Sequence, residues 1–211
     1  SVAVVDVDRD RDLDVVVASH TYNRDASGLV TIFVYEGGRI DRRLEYMAEP
    51  GIRQMIACDL DGDRAPDILT ANRGTSYFSR TDPGIAVLRN LGNGSMAGIV
   101  KRFVPLGSGL EVRRNRLFAL EYSRQGRSPR QIPDLLLTNT TAGWVIRNLG
   151  EGEFANPELL IPTPVITAAD LTGDGVTDVL SRLGGGALGV YVGDHRGRFE
   201  LQPPLPGYEV N

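Results

Sequence analysis

Three short stretches of the chain place acidic side chains at alternate positions. They are "DVDRDRDLD" from Asp6 to Asp14, "DLDGDRAPD" from Asp59 to Asp67, and "DLTGDGVTD" from Asp170 to Asp178. Like charges this close repel, and a hard divalent cation is the chemistry that suits them. Ca²⁺ takes 6 to 8 oxygen ligands at about 2.3–2.6 Å. A tight loop can aim side chains from positions 1, 3, 5 and 9 inward, with the backbone carbonyl of position 7. The first loop offers Asp6, Asp8, Asp10, the carbonyl of Asp12, and Asp14. The second offers Asp59, Asp61, Asp63, the carbonyl of Ala65, and Asp67. The last offers Asp170, Thr172, Asp174, the carbonyl of Val176, and Asp178, and its neutral Thr172 makes it the weaker site. About three structural Ca²⁺ ions are expected.

An EF-hand would put a bidentate Glu at position 12, between helices. Val17, Thr70 and Ser181 stand there instead, with strand-like runs on both sides. Position 6, where a sharp turn favours Gly, holds Arg11 and Arg64. A non-Gly residue at positive φ costs about 1 kcal/mol or more. The competing reading is a solvated turn in which Asp bonds its own backbone; recurrence at matched spacing weighs against it.

The loops belong to a repeat. A worn copy, "EYSRQGRSPRQIPDLLLTN", runs from Glu121 to Asn139. It keeps Asp134 but has Glu121, Ser123 and Gln125 at the earlier acidic places, and it gains Arg124, Arg127 and Arg130. No Ca²⁺ is expected there; an Arg is expected to fill the space or touch a neighbour. The copies start roughly 50–60 residues apart, the spacing of propeller blades. After each comes a β-rich run and a Gly turn, as in "IAVLRNLGNGS" and "WVIRNLGEGEF". Asn and Gly accept positive φ cheaply, so these are hairpin turns. Helical periodicity is nearly absent, and short strand-like runs alternate with Gly, Pro, Asp and Asn. The expectation is an all-β chain, a β-propeller of four-stranded antiparallel blades. The blades fall near 1–50, 51–112, 113–162 and 163–205, with 206–211 starting a further strand.

The D-x-D-x-D-G-x-x-D loop followed by N-x-G-x-G-x-F resembles the FG-GAP/VCBS repeat of integrin-α-like propellers. The resemblance covers nearly the whole chain. It implies a closed ring of seven blades, so the four units are expected to be part of a longer propeller. Both ends read as cut within a first strand. It also implies partner binding on the face opposite the acidic loops. There "SHTYNRDASG" carries His20, Tyr22 and Arg24, and "NRGTSYFSRTDPG" carries Tyr77, Phe78 and Arg80. Tyr and Arg are favoured binding anchors, and aromatic rings stack on sugars. A protein or glycan ligand is the expected partner.

Composition sets the outer limits. The 211 residues are 41% hydrophobic, enough for a core, and the net charge of -4 gives no reason to expect nucleic acid. Cys58 is the only cysteine and reads as a small buried side chain. No stretch approaches the ~20 apolar residues of a membrane span. "GGGALG" from Gly184 matches a dinucleotide-loop pattern but leads into a strand-like run, so a turn is expected. The two histidines, His20 and His195, sit in no zinc-protease pattern, and no nucleophile elbow or P-loop is present. Trp144 reads as core. Weak extracellular-type Ca²⁺ sites need millimolar ion, which points to a secreted, periplasmic or cell-surface setting. The expected function is a Ca²⁺-stabilised, non-catalytic binding or adhesion module. The alternatives are the propeller part of a polysaccharide-active enzyme such as a lyase, and a pure scaffold.

Overall fold

The structure, a computed structural model, describes residues 1–20, 28–72, 84–98, 116–120, 132–150 and 153–203. Strands of period two dominate them. The first sheet joins β1 (Val2–Val5), β2 (Asp14–His20), β3 (Gly28–Glu36) and β4 (Arg39–Ala48) in chain order. The second joins β5 (Ile52–Cys58), β6 (Asp67–Asn72) and β7 (Gly84–Leu88). The fourth strand expected of a four-stranded blade is not described there, and residues 99–115 lie outside the described residues.

The third sheet is built from β8 (Arg116–Leu120), β9 (Asp134–Thr138), β10 (Gly143–Ile146) and β13 (Glu158–Ile161). A small ribbon, β11 (Asn148–Gly150) with β12 (Glu153–Phe154), interrupts it. The fourth joins β14 (Val165–Ala169), β15 (Asp178–Arg182), β16 (Leu188–Gly193) and β17 (Phe199–Leu201). The pairings within the four sheets are antiparallel. No α-helix occurs among the described residues, only a 3-10 turn at Gly184–Gly186. That turn leads into β16, a strand, so the glycine stretch opens no helix to cradle a phosphate.

Two compact units result: Ser1–Arg113 with Leu149–Phe154, and Arg114–Asn148 with Ala155–Asn211. In the first unit, Val16, Val30, Ile32 and Val34 of sheet one share a core with Ile52, Met55, Ile68 and Leu88 of sheet two. In the second, Leu120, Leu136, Val145 and Ile161 of sheet three meet Val165, Val179 and Tyr191 of sheet four. Each fully buried aliphatic side chain of this kind contributes about 1.5–3 kcal/mol of transfer free energy. Two expectations of burial are corrected. Cys58 and Trp144 are both half-buried.

Candidate cation loops

Each acidic loop connects the first two strands of a sheet, so antiparallel pairing fixes both of its ends. Cys58 pairs with Asp67 across the second loop, Val5 with Asp14 across the first, and Ala169 with Asp178 across the fourth. The position-nine aspartate begins the second strand and is buried in all four repeats: Asp14, Asp67, Asp134 and Asp178. A buried carboxylate is costly without hydrogen bonds. One oxygen of each accepts the N–H at the end of strand three. The donors are Tyr35 at 2.8 Å, Asn90 at 2.8 Å, Asn148 at 2.8 Å and Gly193 at 2.9 Å. In the three intact loops the other oxygen accepts the N–H of loop position two, from Val7 at 2.7 Å, Leu60 at 2.9 Å and Leu171 at 2.8 Å. This aspartate therefore clamps the loop to the third strand, apart from any ion.

Position one curls the loop. Asp59 accepts N–H groups from Gly62 at 2.7 Å and Arg64 at 2.8 Å, and Asp6 accepts those of Arg9 at 2.6 Å and Arg11 at 3.0 Å. Positions four and six are left-handed in all three intact loops. Arg9 and Arg11 have φ of 67° and 81°, Gly62 and Arg64 have 78° and 70°, and Gly173 and Gly175 have 79° and 81°. The strain expected at Arg11 and Arg64 is present, and Arg9 adds a third case. Arg9 has compensation: its guanidinium donates to the Asp63 carbonyl at 3.1 Å and the Gly92 carbonyl at 2.9 Å.

The loops differ in how close their carboxylates come. Ligand oxygens of Asp6, Asp8 and Asp14 lie within 4.8 Å of one another, and so do those of Asp59, Asp61 and Asp67. No other such group of three occurs among the described residues, so Asp170, Asp174 and Asp178 do not converge in the same way. The position-five acids stand outside both triads. Asp10 accepts the Asp12 N–H at 2.7 Å, and Asp63 accepts the Ala65 N–H at 2.7 Å. Asp12 turns its carboxylate to the Gly37 N–H at 2.6 Å. In the fourth loop Thr172 donates its N–H to Asp178 at 3.1 Å, and Val176 donates its own to Asp174 at 2.9 Å.

Electrostatics follow this division. Burial, then the neighbouring Asp10 and Asp14, raise the pKa of Asp8 against the nearby Asp10 amide and the Arg42 guanidinium. Burial is also the main cause that pushes Asp67 up to about 6, with Asp61 and Asp63 adding to it. Asp170 moves the other way. The N–H groups of Gly175, Gly173, Asp174 and Thr172 hold it low in an exposed loop.

An arginine pairs with the acid at loop position three in each triad: Arg42 with Asp8 at 2.8 Å, and Arg89 with Asp61. Three carboxylates against one guanidinium leave each triad negative, a charge that a divalent cation would offset. Asp8 Oδ1 is buried without a hydrogen bond. The donor set is all oxygen, as Ca²⁺ requires. The residues of the first two loops thus fit the ion, with Asp6, Asp8, Asp14 and Asp59, Asp61, Asp67 as holders. In the worn third repeat Arg147, which corresponds to Arg89, stands 3.8 Å from Asp134 and 3.4 Å from Glu158. Arg124, Arg127 and Arg130 lie outside the described residues.

A residue that sequence reasoning placed in a hairpin has a larger part. Asn90 is buried, and its Nδ2 donates to the Val7 carbonyl at 2.7 Å and the Pro66 carbonyl at 3.1 Å. It ties the first acidic loop to the second. The repeated "RNLG" in the second and third repeats was the signal for it. Of the candidate ligand-face residues, Tyr22, Arg24, Tyr77, Phe78 and Arg80 lie outside the described residues. His20 ends β2, and its side chain is not described.

No family model matches the chain, and no curated protein matches it. Among solved structures, it is similar to an Agrocybe aegerita lectin that specifically recognises non-reducing terminal N-acetylglucosamine. The TM-score is 0.59 at 15% identity, over 97% of this chain and 65% of the lectin chain. The chain shares an all-β fold with that lectin and spans less than two thirds of its length.

Proposed function

We propose that the chain is a non-catalytic glycan-binding module of FG-GAP/VCBS type. Its four sheets act as blades of a β-propeller, and Ca²⁺ in the first two acidic loops stiffens it. The observation that carries this reading is the fold likeness to a glycan-binding lectin over 97% of the chain. The acidic loops support it: their triads suit a structural cation, and weak sites of this kind fill in the millimolar Ca²⁺ found outside cells. On this reading the module works at a cell surface, in a periplasm or in a secreted protein. The ligand is taken by the strand two to strand three loops, which hold Tyr22, Arg24, Tyr77, Phe78 and Arg80.

The test is a calorimetric titration of the chain, with Ca²⁺ present, against chito-oligosaccharides and a panel of acidic and neutral glycans. Saturable binding is expected, unchanged glycan is recovered, and Tyr77→Ala with Phe78→Ala weakens the interaction. Turnover of any glycan would favour a polysaccharide-active enzyme. No binding across the panel would leave a scaffold and remove the glycan reading.

A further inference from the structure

In the first two acidic loops a guanidinium reaches in from solvent to a nearly covered carboxylate. The side chains of Asp8 and Asp61 are 14% and 10% exposed, and those of their partners Arg42 and Arg89 are 41% and 56% exposed. The position-nine clamp shows where these arginines stand in the repeat. Its donors are the N–H groups of Tyr35, Asn90, Asn148 and Gly193. The residues just before them, Val34, Arg89, Arg147 and Val192, hold the same place in the four sheets. Arg89 pairs with Asp61 from that place, and Arg147 approaches Asp134 from it.

Sheet one has Val34 there, and the arginine stands opposite it: Arg42 pairs with Val34 in the register of β3 and β4. Sheet four has an arginine at neither place, because Val192 pairs with Glu200. The fourth loop also has Thr172 instead of an acid at position three, and among the described residues its carboxylates form no triad. Each converging triad thus has an arginine, supplied from a different strand in the two sheets, and the loop without a triad has none.

A fixed positive charge acts oppositely on the two states of such a loop. Without metal, it offsets the repulsion among three carboxylates. With a divalent cation in the loop, it is a like charge beside the ion. Asp8 has an oxygen for each: Oδ2 accepts from Arg42 at 2.8 Å, while Oδ1 is buried without a hydrogen bond.

We propose that Arg42 and Arg89 are resident counter-ions of the first two loops, which hold the metal-free triads together and set the Ca²⁺ concentration at which the loops fill. This rests on the cation reading of those loops. The arginines ligate nothing; they weaken each site and so keep it responsive to millimolar rather than trace ion.

Isothermal titration of the whole chain with Ca²⁺, together with thermal melts in chelator, tests it. Both guanidiniums are partly exposed, so Arg42→Gln and Arg89→Gln leave the core intact. Each should tighten one Ca²⁺ site by about tenfold and lower the melting temperature of the metal-free chain. Arg42→Lys and Arg89→Lys keep the charge and should keep the parent's affinity. A purely structural arginine would move both readouts down together. Ca²⁺ affinity unchanged or weaker in either Gln variant overturns the proposal and leaves the cation reading standing. So does a metal-free melting temperature that does not fall, or tightening by Lys equal to that by Gln. A parent chain that takes up no Ca²⁺ removes both.

Discussion

The second and fourth acidic loops begin from nearly the same template and handle their charge in opposite ways. Around Asp59, Asp61 and Asp67 three carboxylates converge, and burial raises Asp67 to about 6. Around Asp170 the loop's own amides lower the carboxylate's pKa. Two sequence differences account for much of this. Thr172 replaces an acid at position three, and Gly173 and Gly175 fill both left-handed positions that Gly62 and Arg64 share in the second loop. The fourth loop reaches its turn without strain and without crowding. The second keeps both, and a divalent cation would relieve the crowding.

The largest effects should come from the position-nine clamp that the two loops share. Asp67→Ala leaves the two buried N–H groups of Leu60 and Asn90 without their acceptor, and Asp178→Ala leaves the buried N–H of Gly193 and the partly buried ones of Leu171 and Thr172. With an unmet donor costing about 1–3 kcal/mol, each variant should lose roughly 2–5 kcal/mol in denaturant unfolding with chelator present. Asp61→Ala, which removes charge from a crowded cluster, should cost far less. If Asp178→Ala were mild while Asp67→Ala were severe, the shared clamp would be the wrong account.

Next comes pH, where the loops should separate. An unfolded Asp titrates near 3.9, and folded Asp67 near 6. Between those values the folded chain binds more protons, so this group lowers stability as pH rises from about 4 to about 6. Melts in chelator across that window should show the decline, and Asp67→Asn should flatten it. Asp170, whose pKa is lowered, contributes with the opposite sign: its stabilisation is present above the unfolded value and fades in acid.

Ca²⁺ should act on the first two loops only. At ten times the dissociation constant each filled site adds about 1.4 kcal/mol by mass action. Thermal melts should show that gain diminished by Asp8→Ala or Asp61→Ala and untouched by Asp174→Ala. The smallest change expected is at the strained position. Arg64→Gly should stabilise the metal-free chain by about 0.5–1 kcal/mol, while Gly175→Ala, at φ 81°, should cost about 1 kcal/mol or more.

Much of this was legible in the sequence because the repeat displays it four times. The strands, the loops between strands one and two, and the turn at Asn90 all follow from period-two runs broken by Asp, Asn and Gly. The positive φ at Arg11 and Arg64 was legible too, since the sister loop has Gly at position six. The left-handed Arg9 could have been read the same way, from Gly62 and Gly173. Which carboxylates converge could not be read. Position five looks like a ligand by spacing, yet Asp10 and Asp63 bond their own loops, because a one-residue change of direction decides where a short side chain points. The double life of the position-nine aspartate was hidden for another reason: its clamp partner sits 14 to 23 residues away, at or just past the end of strand three.

The proposal that the first two loops, and not the fourth, hold cations can be counted in solution. Isothermal titration of chelator-stripped chain with Ca²⁺ addresses it most directly. The account predicts two sites per chain, one site after Asp59→Ala with Asp61→Ala, and two still present after Asp170→Ala with Asp174→Ala. No Ca²⁺ binding by the folded chain, or loss of a site on changing the fourth loop alone, would contradict it.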